Sequence, residues 1–452
     1  MTEYNDIWNQ SLLPDLYDLA AILFYLILIF LVSHYIKNRN IDKNPAYKFY
    51  SYGLFASIVG AIGLCLVYTL YYPGGDTTGY YISSEAMVNL FFTDSQAFFR
   101  LMSGDIGVDK LSYFTHQTGY PDYLHDSAAF LVVRITTIFT FLGFKNYFTT
   151  SIVFAWFFYI GFWKLYLLFY HFYKDLKNKI AFTLLFFPSV LFWGSGILKD
   201  TITLSLMSWF LYAAYFGFVH KKNVIQNILV VVITVYFMVQ IKPYIIVALV
   251  PSMAIWAAWY YIKSINNRVL KYFVAPVILV FFVFLGIAGM SLFSESLGVY
   301  GSIEGIIQKA IVTYEDHLRY EQYGQHFYSL GEFDGTIGNF LSKTPMAVIA
   351  GLFRPFIWET GTVFILASAI ENLLLLAFTV YVFLIRGPVK FLRTLSNEPF
   401  IVFSLLFAFI FAFAVGISSA NFGALVRLKI PLIPFFATAF VVIFYRVKEG
   451  EV

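Results

Sequence analysis

The run YDLAAILFYLILIFLVSHYI, residues 17–36, places a single carboxylate at one edge of twenty residues. A bilayer hydrocarbon core takes about 20 residues of helix. Within it, only a helix or a closed barrel satisfies its own backbone. The run therefore predicts a membrane-spanning helix. Ten more runs read the same way, at 50–70, 150–171, 180–197, 201–219, 224–241, 243–262, 272–293, 362–385, 399–417 and 430–446. The expected fold class is an all-α polytopic membrane protein of about 11 transmembrane helices, forming a single integral membrane domain over residues 1–452. Composition agrees: charged residues make up 12% of the chain, against about 25% in a soluble protein, and the mean hydropathy is +0.74.

The stretch SAAFLVVRITTIFTFLGF, 127–144, is apolar but carries Arg134 at its centre, which predicts an interfacial or re-entrant helix. The basic residues support that reading. Lys37, Arg39, Lys43 and Lys48 share a side with Lys174, Lys177 and Lys179, with Lys221 and Lys222, with Lys263, Arg268 and Lys271, with Arg386, Lys390 and Arg393, and with Arg446 and Lys448. Seventeen of the 30 Lys and Arg thus fall in short connections on one side. The positive-inside rule makes that side cytoplasmic, with the N-terminus outside and the C-terminus inside. A span at 127–144 would break the pattern. Two long segments, 71–149 and 294–361, are then expected outside as interfacial helices. The opening residues MTEYNDIWNQ lack the basic and apolar regions of a cleavable leader. The single cysteine, Cys65, excludes a disulfide framework.

Charge close to membrane depth is costly and asks for a reason. YYPGGDTTGYY, 71–81, carries Asp76. FPSVLFWGSGILKD, 187–200, ends in Lys199 and Asp200, and IKPY, 241–244, contains Lys242. LFRPFIWE, 352–359, holds Arg354, Trp358 and Glu359. NFGALVRLKIPLIPFF, 421–436, begins at Asn421 and carries Arg427 and Lys429. Five cations on one face invite an anion, and the arginine fork suits phosphate oxygens. Structural duties compete for several of these residues. Lys242 can snorkel, Asp200 can cap a helix, Asp76 can close a turn, and Trp358 can anchor an interfacial helix. The histidines at 116, 125, 317 and 326 match no metal-ligand spacing, so no metal is expected. No P-loop or dinucleotide fingerprint occurs, so no cofactor and no nucleic-acid partner are expected.

PSVLFWGSGILKD, RPFIWE and NFGALVRLKIPLIPFF resemble segments of bacterial polysaccharide-biosynthesis membrane proteins, the Wzy-like O-antigen polymerases and related GT-C-type glycosyltransferases. The resemblance lies in scattered motifs of the central and final thirds and in the helix pattern. It implies a periplasm-facing enzyme of the bacterial inner membrane that uses a polyprenyl-diphosphate-linked glycan donor and a glycan acceptor, among membrane lipids. By motif, Arg354 and Arg427 would hold the diphosphate, helped by Lys199, Lys242 and Lys429. By location, Asp76 matches the acidic catalytic residue of the first long outer loop, with Glu359 as a second candidate base. Asp200, Trp358 and Asn421 are expected in structural or orienting roles. A transporter or flippase of lipid-linked glycans would use the same cations, but at the bilayer midplane and with paired repeats. A non-catalytic envelope assembly subunit would use them for docking.

Overall fold

The structure, a computed structural model, describes residues 12–72, 74–263, 277, 280–281, 298–318 and 327–449. Among these the secondary structure is helical, with one isolated bridge between Phe327 and Asn421. Eight helices are long and apolar enough to cross a membrane: Leu16–Ile41, Pro45–Leu70, Tyr147–Phe172, Lys199–Val219, Val224–Ile241, Val363–Asn397, Pro399–Ser418 and Phe422–Arg446. Each coincides with a run read from the sequence. The run 243–262 is helical over Pro243–Lys263 with Pro251 inside it. The run at 272–293 lies outside the described residues.

The run 180–197 departs from the expected single span. It forms two short helices, Lys177–Leu185 and Pro188–Trp193, followed by a non-helical turn through Ser195. Pro188 explains the break, because its ring holds Phe187 in extended geometry (φ −74°, ψ 120°). The described residues divide into two compact units. One is drawn from Met1–His171 and Leu185–Lys242, the other from Phe172–Leu184 and Pro243–Val452.

In the first unit, α1 (Leu16–Ile41) opens on a capping box in which Asp15 and Asp18 take each other's backbone N–H groups. Its apolar side chains Leu23, Phe24, Ile27 and Leu31 are exposed, as a lipid-facing helix requires. After α2 (Tyr50–Leu70) the chain turns through Gly74, whose φ of 108° suits glycine alone, into α3 (Asp76–Thr93). Helix α4 (Ser95–Ser103) is separated from α3 by Asp94, which caps it through Ala97 N–H. Helices α5 (Ser127–Leu142) and α6 (Tyr147–Phe172) complete the first stretch of this unit.

Helix α3 does not lie on a surface as an amphipathic helix. Thr77, Tyr80, Tyr81, Ser84, Met87 and Leu90 are all buried. Its hydroxyls thread into the neighbouring helices: Thr77 to Tyr147 at 2.9 Å and Ser84 to Thr140 at 2.7 Å. Helix α5 packs along it. Arg134 donates to the Met102 carbonyl at 3.2 Å, so the charge that argued for an interfacial helix instead ties α5 to the end of α4. At sixteen residues α5 is about 24 Å long, short of a full crossing.

Helix α7 (Lys177–Leu185) falls in the second unit up to Leu184, and in the first unit α8 (Pro188–Trp193) leads to α9 (Lys199–Ala214), which runs through a π-turn at Tyr215–Val219, and then to α10 (Val224–Ile241). In the second unit follow α11 (Pro243–Lys263), α12 (Ile303–His317), α13 (Ile337–Ser342), α14 (Thr344–Phe353), α15 (Val363–Asn397), α16 (Pro399–Ser418), α17 (Phe422–Leu428) and α18 (Ile433–Glu449). Helix α16 is apolar all round and occupies the middle of this unit. Phe400, Phe403, Phe407 and Phe411 recur at helical spacing and are at most 2% exposed. Helix α14 runs against α16 at glycines: a Cβ on Gly416 would sit 1.9 Å from the Ala347 carbonyl, and one on Gly351 would sit 2.2 Å from that of Ala412. Small residues permit such backbone approach between membrane helices.

Candidate functional site

In the first unit the ammonium at the start of one helix pairs with the aspartate that caps another. Lys199 is the first residue of α9, and its Nζ lies 3.5 Å from Asp126 Oδ2. Asp126 is the N-cap of α5 and accepts from Ala128 N–H at 2.9 Å and Ala129 N–H at 3.0 Å. Asp76 is the first residue of α3, is half-buried, and its charge also acts on Lys199. The turn before α3 is locked locally: Gly75 N–H donates to Thr78 Oγ1 at 3.0 Å, and that hydroxyl returns to Gly75 O at 2.9 Å. Gly75 lies so close to Tyr68 that a Cβ would come within 2.4 Å of the ring. On the other side, Thr201 Oγ1 holds the Gly196 carbonyl at 2.7 Å and Ser57 meets Ser195 at 2.9 Å, fixing the WGSGILKD turn. The Lys199 side chain keeps 18% exposure and Asp126 keeps 43%, so the cluster is open at one edge.

Asp126 sits below the usual carboxylate range. Burial pushes its carboxyl up, but the backbone N–H of Ala129, the charge of Lys199 and the N–H of Ala128 together outweigh that. Nearby, Asp122 is raised by its own burial, opposed by the charge of His125. Asp122 N–H donates to Ser83 Oγ at 2.9 Å, which ties this loop to α3.

Two sequence expectations change here. Lys242, expected to bind diphosphate, has its Nζ 2.5 Å from Asp200 Oδ1, with the two side chains 7% and 0% exposed. Asp200 in turn is not the cap of α9, because Leu198 holds that position without a side-chain bond. The pair instead ties the start of α9 to the end of α10. A buried ion pair of this kind serves architecture, since each charge neutralises the other away from water.

In the second unit, Arg354 follows α14 and Glu359 folds back onto it. Arg354 Nε lies 3.0 and 3.2 Å from the two carboxylate oxygens, and Nη2 also bonds Oε1. Glu359 accepts Phe356 N–H at 2.8 Å as well. The guanidinium carbon lies 4.8 Å from the Tyr328 ring centroid, 5.8 Å from Phe356 and 5.9 Å from Phe422. Glu359, expected as a reserve base, is therefore the group that orients Arg354. Trp358 is 80% exposed and its neighbour Phe356 stacks on it at 5.0 Å.

Lys429 is 1% exposed. Its ammonium donates to Leu352 O at 3.4 Å, Arg354 O at 3.1 Å and Asn372 Oδ1 at 2.5 Å. An ammonium has three donors, and all three are engaged, so the expected diphosphate contact from Lys429 gives way to a structural pin. Asn372 Nδ2 donates to Pro355 O at 3.3 Å, closing the loop around the Arg354 segment. Asn421 caps α17 through Ala424 N–H at 3.0 Å. Arg427 is half-buried on α17, between Phe422 and Lys429, both of which contact the Arg354 segment.

No family model, curated protein or solved structure matches the chain.

The cluster around Lys199 belongs to one unit and Arg354 with Arg427 to the other. Sequence reasoning singled out Asp76 and Lys199 but missed Asp126 as the carboxylate that holds Lys199. The signal was present: an aspartate directly before an apolar helix reads as an N-cap. His125, one residue before Asp126, entered the sequence reading only as a metal candidate. Among the described residues no group of three or more His, Cys, Asp or Glu side chains is placed to hold a metal ion. His326 lies outside the described residues.

Proposed function

We propose that the chain is a glycosyltransferase or polysaccharide polymerase that transfers glycan from a polyprenyl-diphosphate carrier at the outer face of a bacterial inner membrane. About eleven crossings fit this reading. They are the eight long helices of the described residues, the Pro243–Lys263 helix, the broken passage through Pro188 and, read from the sequence alone, the run 272–293. The basic residues put the N-terminus outside, the C-terminus inside and the helix starts at Asp76 and Lys199 on the outer side.

The observation that carries the proposal is the pairing of Lys199, at the start of α9, with Asp126, the cap of α5, while the charge of Asp76 acts on the same ammonium. Helix N-termini bear partial positive charge and free N–H groups, which is how proteins bind phosphate. Lys199 adds a full charge, and Asp126 aims it. In this scheme Lys199 and the α9 start bind diphosphate oxygens, and Asp76 takes the proton of the acceptor hydroxyl as it attacks the anomeric carbon. The carbon–oxygen bond to the diphosphate breaks as the new glycosidic bond forms, and the leaving diphosphate carries off the negative charge. In the second unit, Arg354, held by Glu359, and Arg427 form a separate cationic cluster suited to acidic groups of a glycan. The exposed Trp358 supplies a flat face for a sugar ring.

The test is production of surface glycan in cells carrying Asp76→Asn, Lys199→Ala or Arg427→Ala in place of the wild-type chain. Loss of long glycan with unchanged membrane levels of the protein is expected for each. Normal glycan from Asp76→Asn removes the proposed base, and normal glycan from all three ends the proposal.

A further inference from the structure

We propose that Lys164, Trp209 and Tyr212 form a binding site for the phosphate of an anionic membrane phospholipid, on the lipid-facing surface of the first unit. Most of α6 is buried, but one stripe is not. Phe157 is 56% exposed, Ile160 is 37% exposed, and the half-buried Lys164 continues that stripe one turn further on. On α9 a matching stripe of half-buried residues runs through Trp209, Tyr212 and Phe216.

The two helices meet at Gly161. A Cβ there would lie 2.1 Å from Ser205 Oγ and 2.6 Å from Trp209 Cδ1, so the indole rests directly on the α6 backbone. One turn beyond, the Lys164 ammonium stands 4.7 Å from the Trp209 ring centroid and 4.7 Å from that of Tyr212. These rings are its partners among the described residues, and no carboxylate pairs with it there. Ring faces attract a cation through their quadrupoles but carry no net charge. A cation held this way beside lipid leaves room for a mobile anion.

The position selects the anion. Lys164 lies eight residues before the end of α6 at Phe172, about 12 Å along the axis. A lysine stem can snorkel toward that end, where lipid phosphates lie. Tryptophan and tyrosine are the residues that favour this level of the bilayer. A phospholipid arrives there laterally, whereas inorganic phosphate would have to leave water. A zwitterionic headgroup brings its own ammonium against Lys164, so the site prefers an anionic lipid. The geometry is independent of the glycosyl-transfer reading.

The experiment titrates detergent-purified full-length protein with phosphatidylglycerol and with phosphatidylcholine, and counts bound lipid by native mass spectrometry. Wild type should favour phosphatidylglycerol by about fivefold. Lys164→Gln should lose that preference, and Lys164→Arg should keep it. A second readout guards against misfolding of the glutamine variant. In wild-type protein in vesicles, brominated phosphatidylglycerol should quench Trp209 fluorescence, taken as the difference from Trp209→Phe, more than brominated phosphatidylcholine does. Equal binding and equal quenching by the two lipids would overturn the proposal, as would an unchanged preference in Lys164→Gln. Displacement of the lipid by millimolar inorganic phosphate would make the site one for free phosphate and overturn the lipid assignment.

Discussion

The Lys242 ammonium lies 2.5 Å from the Asp200 carboxylate, and neither side chain is more than 7% exposed. The pair joins the first turn of α9, which carries Lys199, to the C-cap residue that follows α10. Replacing Lys242 with Met strands a buried carboxylate and should cost about 3–5 kcal/mol. The double variant Lys242→Met with Asp200→Leu should recover most of the loss. Thermal unfolding in detergent measures both, and a single variant as stable as wild type would show that the pair is dispensable.

Lys429 should behave as a structural residue. Lys429→Met removes three hydrogen bonds and leaves the carbonyls of Leu352 and Arg354 and the Asn372 side chain to find other donors. A loss of about 3 kcal/mol or more is expected from three orphaned acceptors. The readout is unfolding temperature together with the amount of protein in the membrane. A variant that stays stable and loses only activity would return Lys429 to the binding site.

Arg354 should be intolerant of lysine. Arg354→Lys keeps the charge but not the planar fork that meets both Glu359 oxygens. Under the proposed mechanism, transfer should fall about 100-fold. Glu359→Gln should reduce transfer less, because the amide still accepts one guanidinium bond. Assay of glycan transfer from a polyprenyl-diphosphate donor into an acceptor compares them. Full activity in Arg354→Lys would mean that only charge is needed at this position.

Asp126 should make the fold acid-sensitive. Its carboxyl titrates below the usual value when folded, so the stability it contributes is complete above the unfolded-state value near pH 4. That contribution is lost as the pH falls through the lower folded-state value. Asp126→Asn retains a helix cap but cannot titrate. Its unfolding temperature should therefore change less than that of wild type between about pH 5 and pH 3. Parallel curves for the two proteins would remove Asp126 from this effect.

The contact between α14 and α16 should reject even one carbon. Gly416→Ala places a Cβ 1.9 Å from the Ala347 carbonyl, and backbone cannot yield as a side-chain tip does. A loss of about 1–3 kcal/mol is expected. Gly338→Ala is the control, because nothing lies within 4 Å of its Cβ. Similar unfolding temperatures for the two variants would show that the helices separate freely.

The long apolar runs were legible because hydrophobic length needs no tertiary information. The places where the reading changed share one cause. At 180–197 an apolar average concealed Pro188 and the two glycines behind it. At α3 the buried face includes the Thr77, Tyr81 and Ser84 hydroxyls, which hydropathy scores as polar although Thr77 and Ser84 are satisfied by neighbouring helices and Tyr81 by the Lys145 carbonyl in the turn between α5 and α6. At 127–144 Arg134 looked prohibitive in an embedded helix, yet the Met102 carbonyl receives it.

An all-helical chain able to cross a membrane many times follows from composition and run length, since unsatisfied backbone has no place in hydrocarbon. Which charges serve structure does not follow from them. Lys199, Lys242, Lys429 and Arg354 are equivalent as cations at the ends of apolar runs. Packing alone gave Lys242 a buried carboxylate, Lys429 three oxygen acceptors, Arg354 an orienting glutamate, and Lys199 a half-open place among helix starts. An ammonium or guanidinium takes its role from the partners within a few ångströms, and those partners come from distant parts of the chain.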